Sequence, residues 1–92
     1  MKELTYFYLK SCPYCKRATS YIEELISENP EFKNIKINMI EEKENSELAN
    51  SYDYYYVPCF WIGKEKIFEG AATKNDINEV LLTAVKGPKV MV

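Results

Sequence analysis

Cys12 and Cys15 stand two residues apart in the run Leu9-Lys10-Ser11-Cys12-Pro13-Tyr14-Cys15-Lys16-Arg17. The segment before them, Leu4 to Leu9, is short, rich in aromatics and free of charge, as in a strand buried on both faces. After them Ala18, Ile22, Leu25 and Ile26 recur at helical spacing, with charged residues between. The chain must therefore end a strand and begin a helix at one turn that carries two thiols. Ser11 is the expected N-cap, and Pro13 suits the first helical turn, where its missing N–H leaves no bond unmade.

The rest of the chain punctuates cleanly. Asn29-Pro30 stops the first helix. Ile35 to Ile40 alternates and then finishes apolar, predicting a second strand. Glu41 to Asp53 is polar and helix-permissive, with Leu48 and Tyr52 as its apolar stripe and the acidic run Glu41 to Glu47 as an exposed face. Tyr54-Tyr55-Tyr56-Val57-Pro58 leads into a compact strand, Cys59-Phe60-Trp61-Ile62. Gly63 to Lys66 turns, Ile67 to Glu69 returns as its hairpin partner, and Gly70 ends it. Thr73 or Asn75 can cap a last helix with the stripe Ile77, Val80, Leu81, Ala84 and Val85. Gly87-Pro88 stops that helix, and Lys89 to Val92 is a short tail without a readable role.

These elements predict an α/β fold in one domain spanning residues 1–92. A mixed four-stranded sheet, in the order β-α-β-α-β-β-α, is flanked by helices on both faces. The first three elements form a βαβ unit with parallel strands and a right-handed crossover.

Composition narrows the chemistry. At 47% hydrophobic and 28% charged the 92 residues read as globular rather than disordered. A net charge of −2 argues against nucleic acid or an anionic membrane as partner. No apolar run is as long as a membrane span, and Met1-Lys2-Glu3-Leu4-Thr5 does not look like a secretory leader, so the expected location is the cytoplasm. Paired cysteines there are usually catalytic or metal-binding. With no histidine and three cysteines (Cys12, Cys15 and Cys59), Cys-His nucleophiles and mixed Cys/His zinc sites are excluded. Two readings remain: redox exchange at the Cys12/Cys15 dithiol, or an iron–sulfur or metal-binding module completed by Cys59 and external ligands. The first is favoured, because thiolate is the nucleophile in exchange and a helix amino terminus favours negative charge. Lys10, Lys16 and Arg17 are candidates to add positive potential. Cys59 is either a small buried hydrophobe or an auxiliary thiol.

Cys12-Pro13-Tyr14-Cys15, continued by Lys16-Arg17-Ala18, resembles the motif of dithiol glutaredoxins. Val57-Pro58, opening a hairpin strand, looks like the cis-proline element of the thioredoxin superfamily. The resemblance implies a thioredoxin-like fold and a disulfide reductase of glutaredoxin or thioredoxin type. It implies Cys12 as attacking thiol, Cys15 as resolving thiol, and Pro58 as the cis residue facing them. It implies no metal and no tightly bound cofactor, with glutathione as a possible electron donor. Candidate contacts to substrate or thiol donor are Lys10, Tyr14, Arg17, Val57, Glu69 and Gly70, with Thr73 beside them. The tyrosines at 52, 54, 55 and 56 either form an aromatic platform or pack a helix–strand junction. The chain also departs from glutaredoxin custom. Leu9 holds the usual basic position, Tyr56 precedes Val57-Pro58, and Glu69-Gly70-Ala71 stands where Gly-Gly is usual. Tyr6 holds the place of the buried acid of ordinary thioredoxins. The donor is therefore either glutathione or a thioredoxin-reductase-type protein, and the partners are disulfide-containing proteins or mixed disulfides met by a monomer.

Overall fold

The computed structural model describes residues 3–87. Among the described residues four strands form one sheet: β1 (Leu4–Tyr8), β2 (Ile37–Glu41), β3 (Cys59–Ile62) and β4 (Glu65–Glu69), in the order β2-β1-β3-β4. β1 runs parallel to β2, with Leu4 opposite Ile37 and Tyr8 opposite Glu41. It runs antiparallel to β3, with Phe7 opposite Cys59. β3 and β4 make the hairpin, bulged between Phe60 and Trp61, and Gly63 turns it at φ 59°. The helices are α1 (Pro13–Glu28), α2 (Ser46–Asn50) and α3 (Lys74–Lys86). The α/β class and element order are those the sequence predicts.

Strand alternation divides the apolar residues between two faces. On one face Leu4, Tyr6, Phe60 and Ile62 pack against Ala18, Ile22 and Leu25 of α1 and Ile77, Val80, Leu81 and Ala84 of α3. On the other, Phe7, Cys59 and Trp61 meet Ala49 of α2 and the partly buried Tyr52, Tyr54 and Val57. The two amphipathic helices thus cover one face, and a short helix with its aromatic loop covers the other.

Several local expectations need correction. Cys12, not Ser11, is the N-cap of α1, and its side chain makes no cap bond. Asn29-Pro30 ends α1 but opens a 3₁₀ turn over Pro30–Asn34, which drives Phe32 into the core. β2 therefore starts at Ile37 rather than Ile35. The predicted helix over Glu41 to Asp53 shrinks to the five residues of α2. Its buried residue is Ala49, while Leu48 is exposed. The cause is Glu41, which is buried rather than solvated. Its Oε1 accepts the N–H groups of Lys43 (2.6 Å) and Glu44 (3.2 Å), closing a tight turn where a helix would have continued. Of the two candidate caps for α3, Thr73 serves, in a reciprocal capping box with Asp76. Gly87 follows Lys86 at φ 86°. Pro88 and the tail Lys89 to Val92 lie outside the described residues.

Candidate active site

β1 delivers the chain to the thiols. After Tyr8 a tight turn forms, in which Cys12 N–H donates to the Leu9 carbonyl at 3.1 Å. Cys12 is extended (φ −85°, ψ 119°), and its carbonyl accepts the first helical bond, from Lys16 N–H at 3.0 Å. Its side chain thus stands at the amino end of α1, where backbone N–H groups lack helical acceptors. Cys12 is partly exposed and Cys15, one turn along, is buried; all three cysteines are free thiols. Burial pushes the Cys15 thiol up to about 12. The Leu9 N–H, which donates to Cys15 Sγ at 3.5 Å, opposes this, while the neighbouring Cys12 and the charge of Glu42 reinforce it.

Beneath Cys15 lies Tyr6, fully buried. Its hydroxyl donates to the Cys15 carbonyl at 3.0 Å and shares a hydrogen bond with Thr19 Oγ1 at 2.9 Å. Burial holds the phenol well above its ordinary pKa. Tyr6 thus ties β1 to the first turns of α1 as a neutral group.

The register of β3 brings the second half of the site to the same end of the sheet. With Phe7 opposite Cys59, Pro58 falls beside the end of β1. The Val57–Pro58 bond is cis, and the buried Pro58 presents its carbonyl to Gly70 N–H at 2.8 Å. Gly70 sits at φ 101°, a conformation that excludes most side chains. Glu69, expected from the sequence as a ligand contact, has its carboxylate engaged within the chain. Oε2 accepts the N–H groups of Tyr55 (2.5 Å) and Tyr56 (2.9 Å), and Oε1 accepts Lys66 Nζ (2.7 Å). Lys66 first, then the two N–H groups, hold its pKa down to about 2.

The cations are divided. Lys10 Nζ is ion-paired with Glu44, so its charge is answered on the β2 side, while Lys10 N–H donates to Glu41 Oε2 at 2.9 Å. Arg17 lies over the exposed Tyr14 ring at 5.5 Å. Lys16 lines a groove of about 290 Å³ with Tyr8, Cys15, Thr19 and Met39. Cys59 lies on the face opposite Tyr6, fully buried, and burial raises its thiol to about 11. Among the described residues no three or more His, Cys, Asp or Glu side chains gather as a metal site.

Sequence reading missed Glu41, Thr19 and the pair in which the Tyr54 hydroxyl donates to Glu42 Oε1 at 3.1 Å. Only the position of Glu41 at the end of a strand, just before a turn, hinted at its work.

Comparison with known proteins identifies the family and the fold. The thioredoxin family model matches residues 2–83. A thioredoxin from Methanocaldococcus jannaschii is 33% identical over 75 residues, spanning 82% of this chain and 81% of that protein. The oxidised thioredoxin of Plasmodium falciparum superposes with a TM-score of 0.68 at 16% identity, covering 89% of this chain and 79% of that one. A mutant thioredoxin from Halobacterium salinarum gives 0.65 at 19% identity, covering 97% and 76%. The family model spans most of the sequence and the relative covers four-fifths of it: the chain belongs to the thioredoxin family.

Proposed function

We propose that the protein reduces protein disulfides through Cys12 and Cys15, with Cys12 as nucleophile and Cys15 as resolving thiol. The observation that carries this reading is their unequal placement. Cys12 is open to a partner at the amino end of α1, whereas Cys15 is buried one turn behind it. In the first step Cys12 thiolate attacks one substrate sulfur. The S–S bond breaks, and the departing sulfur leaves as a thiolate that takes a proton. In the second, Cys15 gives up its proton and attacks Cys12 Sγ, expelling the other substrate sulfur. Two electrons pass to the substrate, and a Cys12–Cys15 disulfide remains. Pro58 and Val57 border the sulfur-exchange region, and Gly70 supports Pro58 through its N–H.

The donor that resets the pair is, on this reading, a protein reductase of the thioredoxin-reductase type in the cytoplasm, acting on a monomer. Support comes from Glu69, a bulky side chain standing where glutaredoxins usually have a glycine beside the cis-proline edge, its carboxylate already taken by Lys66 and the N–H groups of Tyr55 and Tyr56. The small residue that would leave room for glutathione there is thus replaced by a side chain committed to the chain's own groups. Cys-Pro-Tyr-Cys is the feature that favours glutathione instead. Turnover with NADPH and thioredoxin reductase, run beside glutathione with glutathione reductase, separates the two. Turnover only in the glutathione arm would overturn the donor assignment. Cys12→Ser abolishes turnover in either arm, and Cys15→Ser accumulates mixed disulfides with protein substrates. An active Cys12→Ser variant would overturn the nucleophile assignment.

A further inference from the structure

Two tyrosine rings stand open at the thiol end of the sheet. Tyr55 is 83% exposed and Tyr56 68%. Their backbone is held on every side. Ahead of them, Tyr54 stacks on Phe7 with ring centroids 5.0 Å apart and donates its hydroxyl to Glu42. Behind them, Val57 packs with the Phe7 cluster and Pro58 is buried. From the side, Glu69 Oε2 accepts both of their N–H groups. The fixed backbone leaves the two rings as the solvent-facing part of the segment. Neither ring is needed by either core.

We infer that Tyr55 and Tyr56, positioned by Glu69, form a platform that selects protein disulfides flanked by apolar or aromatic side chains. This rests on the Cys12/Cys15 reading above. The occupant follows from continuity with that site. The platform precedes the Val57–Pro58 edge at the sheet end where Cys12 stands, so a chain segment presenting its disulfide to Cys12 is the partner whose flanks reach the rings. Its chemistry follows from the charges nearby, because Glu69 is answered by Lys66 and Lys10 by Glu44. Tyrosines on a pinned backbone bury large area with little further loss of conformational freedom, which favours apolar contact.

The test uses three symmetric disulfide-linked peptide dimers, alike except for the residues beside cysteine: Gly-Phe-Cys-Leu-Gly, Gly-Ser-Cys-Ser-Gly and Gly-Lys-Cys-Lys-Gly. Dithiothreitol regenerates the protein, so the natural donor plays no part. The wild type is expected to favour the Phe/Leu dimer over the Ser dimer about tenfold in kcat/KM, mainly through KM, about 1.4 kcal/mol. Tyr55→Ser with Tyr56→Ser brings that ratio close to one. Glu69→Ala lowers it too, whereas Glu69→Gln retains most of it, because its amide oxygen still accepts both N–H groups. Equal rates on all three dimers, preference for the Lys dimer, or a ratio unmoved in the double tyrosine variant would each overturn the inference. If the wild type reduces no dimer faster than Cys12→Ser does, the underlying dithiol reading fails instead.

Discussion

Cys15 is held by three contacts of different kinds: the Leu9 N–H on its sulfur, the Tyr6 hydroxyl on its carbonyl, and Cys12 beside it. Burial pushes its thiol up to about 12, so it stays protonated at neutral pH, as the proposed resolving role requires. In the Cys12→Ser variant, iodoacetamide should therefore modify Cys15 at a rate still rising at about pH 10, where an ordinary thiol with pKa about 8.5 has levelled off. A plateau near pH 9 would contradict the burial. Glu69 titrates in the opposite sense. Its carboxyl is held at about 2 in the folded chain against an ordinary 4.5. It contributes stability above pH 4.5 and loses that contribution as pH falls from 4.5 towards 2. Amide exchange at Tyr55 and Tyr56, corrected for intrinsic rates, should lose protection across that window in the wild type. In Glu69→Gln it should be flat. The sequence marked Glu69 as unusual but did not show its partners within the chain, because the two N–H groups it binds lie 13 and 14 residues back and meet it only through tertiary structure.

Among the elements, α1 and α3 were legible and α2 was not, for a physical reason. α1 buries Cys15, Ala18, Ile22 and Leu25 on one stripe, and α3 buries Ile77, Val80, Leu81 and Ala84, so periodicity alone locates both. α2 buries only Ala49, and the stretch before it is shaped by an acid bonding to backbone, which leaves no periodic trace. The same reasoning explains why Thr73 works as a cap. Its hydroxyl accepts Asp76 N–H at 3.1 Å, and Asp76 Oδ2 accepts Thr73 N–H at 2.9 Å. Thr73→Ala should cost about 1 kcal/mol, read as a loss of roughly 4–8 °C in Tm. Reductase activity at 25 °C should be retained, since Thr73 adjoins Lys74, which pairs with Glu24 and Glu28 towards the end of α1 away from the thiols. An unchanged Tm would mean that the capping box adds nothing net to this helix.

At the scale of the whole molecule, the sheet is what makes separate stretches into one site. Its register sets the end of β1 beside Pro58 and the end of β4 beside Cys59, so the stretches carrying residues 12, 15, 58, 69 and 70 leave the sheet at one end although the chain between them is long. The β-α-β start and the terminal hairpin made that topology readable. The division into two aromatic cores was not, because Tyr52 and Tyr54 carry no alternation that says which face they join. Phe60 tests the larger core. It is fully buried in β3 and stacked on Tyr6 at 4.6 Å, and Tyr6 in turn holds the Cys15 carbonyl. Phe60→Ala opens a cavity directly beneath that support and should cost about 3–5 kcal/mol. That is a large fraction of the roughly 5–15 kcal/mol typical of a domain. Trp61 is the single tryptophan and lies on the opposite face, near Tyr52, so its fluorescence follows unfolding without reporting the lost ring directly. The urea midpoint should fall sharply with an unchanged slope, and Phe60→Leu should fall much less. Equal midpoints for the two variants would mean that the volume filled at this position adds nothing to the stability of the larger core.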